Sequence, residues 1–228
     1  MKRIGSVKSS KKNFVSGKPG QELPPIALPK PIFKGSGSVF AALKKRRTDR
    51  SIGGKKLSLQ VLSNLLWAAC GVNRKQGPFG DLGLTAASAS NSQEIDLYVA
   101  RAEGVYLYEP ASHKLIPVLA EDLRALAIGP GQGKAGAKAP VRLIYVVNIG
   151  RFREAGFQEP GLYNPEIQKS YYYVDTGIMA ENVYLFASSQ GLAAWFHNCN
   201  RTALAKKLNL RSDQRALFGQ TVGYCGNG

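Results

Sequence analysis

The chain has 228 residues, and a hydrophobic content of 44% with 9% aromatics provides for a packed core, which excludes wholesale disorder. A formal net charge of +16 favours anionic partners in general: nucleic acid, acidic lipid or phosphorylated small molecules. Cys70, Cys199 and Cys225 are widely spaced, form no C-x-x-C and stand beside only two histidines, which argues against a zinc site or a disulfide framework and fits a reducing compartment.

Residues 1–36 form a basic leader or tail rich in Lys, Ser, Gly and Pro, with Glu22 as its one acid. Such a composition buries too little apolar surface to offset its ordering. The part from Pro24 to Pro31 reads either as solvated or as extended across the body or a partner subunit. No apolar stretch follows Met1-Lys2-Arg3 as it would in a signal peptide. The sequence as given therefore reads as cytoplasmic, with an exported protein lacking its signal as the alternative. No run of about 18 apolar residues occurs, so no membrane span is expected.

Residues 37–228 read as one domain. Ser38 opens a helical pattern through Val39, Phe40 and Leu43, with a cationic run at its C-terminal end, where the helix dipole favours positive charge. A second helix runs from Ser58 as N-cap to Cys70, with Gly71 at the C-cap position. After a small-residue loop over 77–93, Ile95–Ala100 and Gly104–Tyr108 read as a hairpin. Glu121–Ile128 reads as a short helix and Gly129–Ala139 as a flexible Gly/Ala/Lys loop. Val141–Val147 is nearly continuous in apolar residues, the mark of a strand buried on both faces. A long helix from Tyr171 to Gly191, a strand Leu192–Phe196, a helix Arg201–Leu208 and a last strand Leu217–Tyr224 complete the chain. No βαβ repeat runs through this order, which predicts an α+β fold.

The run Lys44-Lys45-Arg46-Arg47-Thr48-Asp49-Arg50 supports two readings. It could be a nucleic-acid patch, or it could hold one small phosphate through planar bidentate guanidinium donors and the Thr48 hydroxyl. In Ala87–Gln93, Asn91 and Gln93 sit among small residues; carboxamides donate and accept, so they can read the edge of a flat heteroaromatic ring. Gly129-Pro130-Gly131-Gln132-Gly133-Lys134 lacks the phosphate-loop spacing and reads as a surface loop. His113 reads as exposed, His197 as a structural histidine, and Cys199 has no positioned base nearby.

The segments Leu43–Ser51, Leu65–Arg74, Ser90–Val99, Val118–Arg124, Glu181–Phe186 and Val222–Tyr224 are collinear, and together they resemble the FMN-dependent nitroreductase family, in particular a SagB-like subgroup whose members often carry an export signal. The resemblance runs from about residue 38 to the end. It implies a central mixed, mainly antiparallel sheet flanked by helices, in an intertwined homodimer with FMN at the subunit interface. By position, Arg46, Arg47 and Thr48 would contact the phosphate and ribityl chain. Arg50 would reach the N1/O2 side of the isoalloxazine, Asn91 and Gln93 would bond the ring edge, and Phe196, His197 and Asn198 would lie near N5. NADH or NADPH would be the co-substrate and a nitroaromatic, quinone or similar small molecule the acceptor. No side chain is assigned as catalytic, since the flavin carries the chemistry.

Three departures stand out. The chain ends soon after Tyr224, where family members often continue into a basic segment, so Arg201, Arg211 and Arg215 are candidates for the missing cations. Ala87 replaces a usual proline, and Glu94-Ile95 replaces a common Pro-aromatic pair. The competing readings are a basic nucleic-acid or anionic-surface binding module, which leaves the Asn91–Gln93 loop unexplained, and a specialised flavin dehydrogenase acting on a peptide or cofactor.

Overall fold

The computed structural model describes residues 23–33, 37–77, 79–132 and 138–226. Its centre is a seven-stranded sheet in the order β1-β6-β5-β4-β7-β9-β8, every neighbouring pair antiparallel. The strands are β1 Ile26–Ala27, β4 Ile95–Arg101, β5 Gly104–Glu109, β6 Lys114–Leu119, β7 Val141–Asn148, β8 Leu192–His197 and β9 Gln214–Tyr224. A small ribbon, β2 Val72–Arg74 with β3 Gly83–Leu84, lies apart. The helices are α1 Val39–Lys45, α2 Leu59–Cys70, α3 Pro165–Ser189 and α4 Arg201–Lys207. The α+β expectation is met.

The apolar strand β7 lies between β4 and β9, and its side chains alternate between two cores. Leu143, Tyr145 and Val147 meet α2 and α3 on one face. Ile144 and Val146 meet Leu123, Ala127 and Leu204 on the other. Helix α2 follows its sequence signals: Ser58 Oγ accepts from Val61 N–H, and Leu62, Leu65, Leu66 and Ala69 line its buried face.

Helix α3 starts six residues before the expected Tyr171. Asn164 caps it by accepting from Glu166 and Ile167 N–H, and Pro165 fills the first helical position, where no N–H is needed. Gly191, at φ 66°, turns the chain from α3 into β8. The expected helix at 121–128 is a single turn, with Ala127 N–H bonded to Leu123 O. Strand β6 was not anticipated; Pro117 within it weakens the strand signal.

Residues 23–33, grouped above with the leader, are built into the body. Ile26 pairs with Leu115 and Leu28 is buried. Ile32 N–H donates to Asn64 Oδ1, and Phe33 packs on Trp67 at 4.6 Å. His113, expected to be exposed, is half-buried at the β5–β6 turn: Ser63 Oγ and the Tyr108 hydroxyl flank its ring at 2.7 and 2.8 Å. Burial lowers its pKa below the ordinary histidine value. The rest of the leader, and residues 133–137 of the Gly-rich loop, lie outside the described residues.

Candidate flavin site

The segment after α1 is stitched to the far edge of the sheet. Asp49 N–H donates to Ala194 O at 2.9 Å, Gly53 N–H to Tyr224 O at 2.8 Å, and Gly226 N–H to Ser51 O at 2.8 Å. These bonds hold Arg46–Arg50 beside β8. Thr48 Oγ1 lies 3.0 Å from the Tyr184 hydroxyl, which also accepts from Phe196 N–H at 2.8 Å. Arg46 stands over the Tyr184 ring at 5.5 Å and pairs with Glu181 at 3.7 Å. Arg50 stands over the Trp195 ring at 5.2 Å. The Arg47 side chain is 77% exposed and, among the described residues, pairs with neighbouring Asp49 alone, so most of its donors face solvent.

A cleft of about 590 Å³ opens here, lined among others by Lys44, Lys45, Arg46, Arg47, Tyr184 and Ser188. Lys44 and Lys45 therefore face the same space as the two arginines. Arg201, Arg211 and Arg215 do not line this cleft. Arg211 is held by Asp213 and Asn148, while Arg201 and Arg215 border a separate cavity of about 810 Å³ with Lys169, Tyr172 and Tyr173.

The strand end is aromatic. The Phe196 ring meets Tyr145 at 5.9 Å and Phe218 at 4.8 Å, and Tyr173 packs on Phe218. His197 points to the opposite face and is 4% exposed, with Nε2 at 2.7 Å from Thr221 Oγ1 and Nδ1 at 2.9 Å from Asn198 O. A side chain at Gly219 would strike this ring, so glycine is required opposite it. Burial depresses the His197 pKa to about 4, which keeps the ring neutral throughout the neutral range. Its side chain is structural; only its backbone and exposed Asn198 are available to a ligand.

The carboxamide loop lies elsewhere. Asn91 Nδ2 and Gln93 Nε2 both donate to Leu82 O, at 3.2 and 2.7 Å, and Gln93 N–H donates to Ser88 Oγ. Ala89 N–H donates to Asp175 Oδ2 on α3 at 2.9 Å. Asp175 and Tyr184 are nine residues apart on one helix, about two and a half turns and about 14 Å along the axis. The loop and the cationic segment thus grip opposite flanks of α3. Sequence reasoning missed Tyr184 as the junction between Thr48 and Phe196, and Asp175 as the anchor of the loop; a buried polar group within a helix is their one sequence signal.

A seven-stranded antiparallel sheet flanked by helices, with a cationic segment locked to its edge strand, defines an oxidoreductase of the nitroreductase fold. The sequence model of the Nitroreductase family matches residues 43–224, and the chain belongs to that family. It is 32% identical over 161 residues to the provisionally named nitroreductase MJ1384 of Methanocaldococcus jannaschii, covering 66% of this chain and 73% of that protein. A solved structure from Ralstonia eutropha JMP134, also provisionally named a nitroreductase, superposes with a TM-score of 0.78 at 35% identity, covering 90% of each chain. A chain of the Escherichia coli microcin synthetase McbBCD complex shares the fold at 19% identity and a TM-score of 0.65, over 99% of this chain and 85% of that one.

Proposed function

We propose that the protein is an FMN-dependent oxidoreductase that takes hydride from NADH or NADPH and passes it to a small acceptor such as a nitroaromatic or quinone, working as a homodimer. The observation that carries this reading is the Tyr184 junction, which locks the Arg46–Thr48 segment to the Phe196 strand end through one hydroxyl. The donor set fits a phosphorylated flavin. Arg46, Arg47 and Thr48, with Lys44 and Lys45 facing the same cleft, suit a phosphate dianion. Arg50 would oppose negative charge at N1/O2, Asn91 and Gln93 would orient the ring edge, and the backbone of Phe196–Asn198 would lie near N5. Bound FMN would supply the hydride exchange; the protein supplies position and electrostatics.

The two halves of this donor set flank α3 on opposite sides, which favours a site completed by a second copy. The outward face of α3 also carries exposed Ile167, Val174 and Ile178, and α1 exposes Val39, Phe40 and Leu43. An apolar surface of this kind suits burial against a partner of the same sequence.

The test is an absorbance scan of the purified protein with and without added FMN, repeated after NADH or NADPH under nitrogen. A flavin band bleached by the nicotinamide is expected. Absence of both a band and FMN uptake would overturn the reading; nucleic-acid binding falling steeply with salt would then favour the charge-patch alternative.

A further inference from the structure

We infer that Glu94 and Asp175 form a proton-sharing carboxyl pair that holds the Ala87–Gln93 loop in its binding shape, so that the ring-edge half of the site weakens in alkali. The ligand's identity rests on the flavin reading; the pair itself does not.

Both carboxyls are out of water: Glu94, just before β4, is 0% exposed, and Asp175 on α3 is 6% exposed. Each grips one end of the loop. Ser92 Oγ donates to Glu94 Oε2 at 2.7 Å, and Ala89 N–H donates to Asp175 Oδ2 at 2.9 Å. Between and beside these anchors, Ser90, Asn91 and Gln93 hold φ values of 49°, 55° and 50°. Left-handed backbone at three non-glycine residues is costly, so the loop keeps this shape because its contacts impose it.

Both acids close on one hydrogen-bonded turn: Asp175 accepts the Ala89 N–H, Ala89 O accepts the Ser92 N–H at 2.9 Å, and Ser92 Oγ donates to Glu94. Glu94 Oε1 has no donor when both are ionised, and a proton held between the two acids provides one. The other polar groups packed around the loop are committed. Arg151, on the turn after β7, donates to Gln93 O at 2.5 Å and to Asp96 Oδ1 at 2.6 Å. Asp96 on β4 also accepts from Gln214, and the Tyr171 hydroxyl on α3 donates to Glu159. Among the described residues no cation is paired with either acid.

Two buried like charges without a counter-ion favour retention of one proton. Burial and then the Asp175 charge raise Glu94 to about 8, and burial raises Asp175 as well. A carboxyl raised on folding contributes stability that is complete below its unfolded pKa and is lost as the pH climbs through the folded one. For Glu94 that window runs from 4.5 to about 8. Above it, Oε1 loses its donor, the two charges repel, and the tie between α3 and the loop weakens. Both residues act by positioning the loop.

The experiment uses the full chain, with Glu94→Gln and, as a second variant, Asp175→Asn. Thermal midpoints of the flavin-free proteins are followed from pH 5.5 to 9, and FMN affinity is titrated by fluorescence at pH 7 and 9. Wild type should lose midpoint relative to Glu94→Gln as the pH rises, and its FMN Kd should increase about tenfold between the two pH values, against about twofold or less in the variants. Parallel midpoint curves would overturn the shared proton. Diverging midpoints with an equal pH dependence of Kd would overturn the positioning role. If no protein takes up FMN at any pH, the flavin reading fails, and the midpoint comparison still decides the pair.

Discussion

Tyr184 ties α3 to two other segments: its hydroxyl contacts Thr48 and accepts the Phe196 N–H, and its ring underlies Arg46. Tyr184→Phe leaves that half-buried N–H without its protein partner, which costs about 1 kcal/mol. Urea unfolding should report this loss, with weakened FMN binding alongside, because Thr48 also loses its tether. Arg50 is the complementary case. It rests over Trp195 at the surface, so Arg50→Ala should fold normally. Its loss should lower the potential of bound flavin and slow reduction by NADH, since a cation at N1/O2 favours the reduced anion. A redox titration returning the wild-type potential would remove Arg50 from that role.

Most elements declared themselves locally, because they bury one face or cap themselves. Helix α2 was legible from Ser58, the 3–4 spacing and Gly71, and β7 from its unbroken apolar run. Strand β6 was not legible, since Pro117 argues against a ladder and only pairing with β5 and β1 overrides it. The extended 23–33 segment looked like a tail for a related reason: Leu28 is its one buried residue, and its value depends on Leu115 and α2 being in place. Leu28→Ala should therefore destabilise the fold by about 2–4 kcal/mol, and chemical denaturation would measure it. A loss below about 0.5 kcal/mol would return residues 23–33 to the status of a leader.

The whole molecule presents apolar surface where a monomer has little use for it: Phe40 is 83% exposed and Val174 59% exposed. The homodimer proposed above would bury this face between two copies and complete the flavin site from both. Val174→Asp should then give a folded monomer on size-exclusion chromatography that has lost FMN. A variant that stays dimeric, or a monomer that keeps its flavin, would count against a shared site.

Local sequence determined the α+β class, the helix caps, the central strand and the residue types suited to a phosphate and a ring edge. Each of those rests on periodicity, capping or donor chemistry that a short segment carries by itself. Tertiary structure alone decided which residues meet. It put Lys44 and Lys45 into the cleft and left Arg201, Arg211 and Arg215 out of it. It turned His197 into the sheet, set the cationic segment and the carboxamide loop on opposite flanks of α3, and tied Glu94 and Asp175 to one turn. Contacts between residues about 80 to 140 positions apart depend on how strands and helices stack, and nothing in either segment encodes its distant partner.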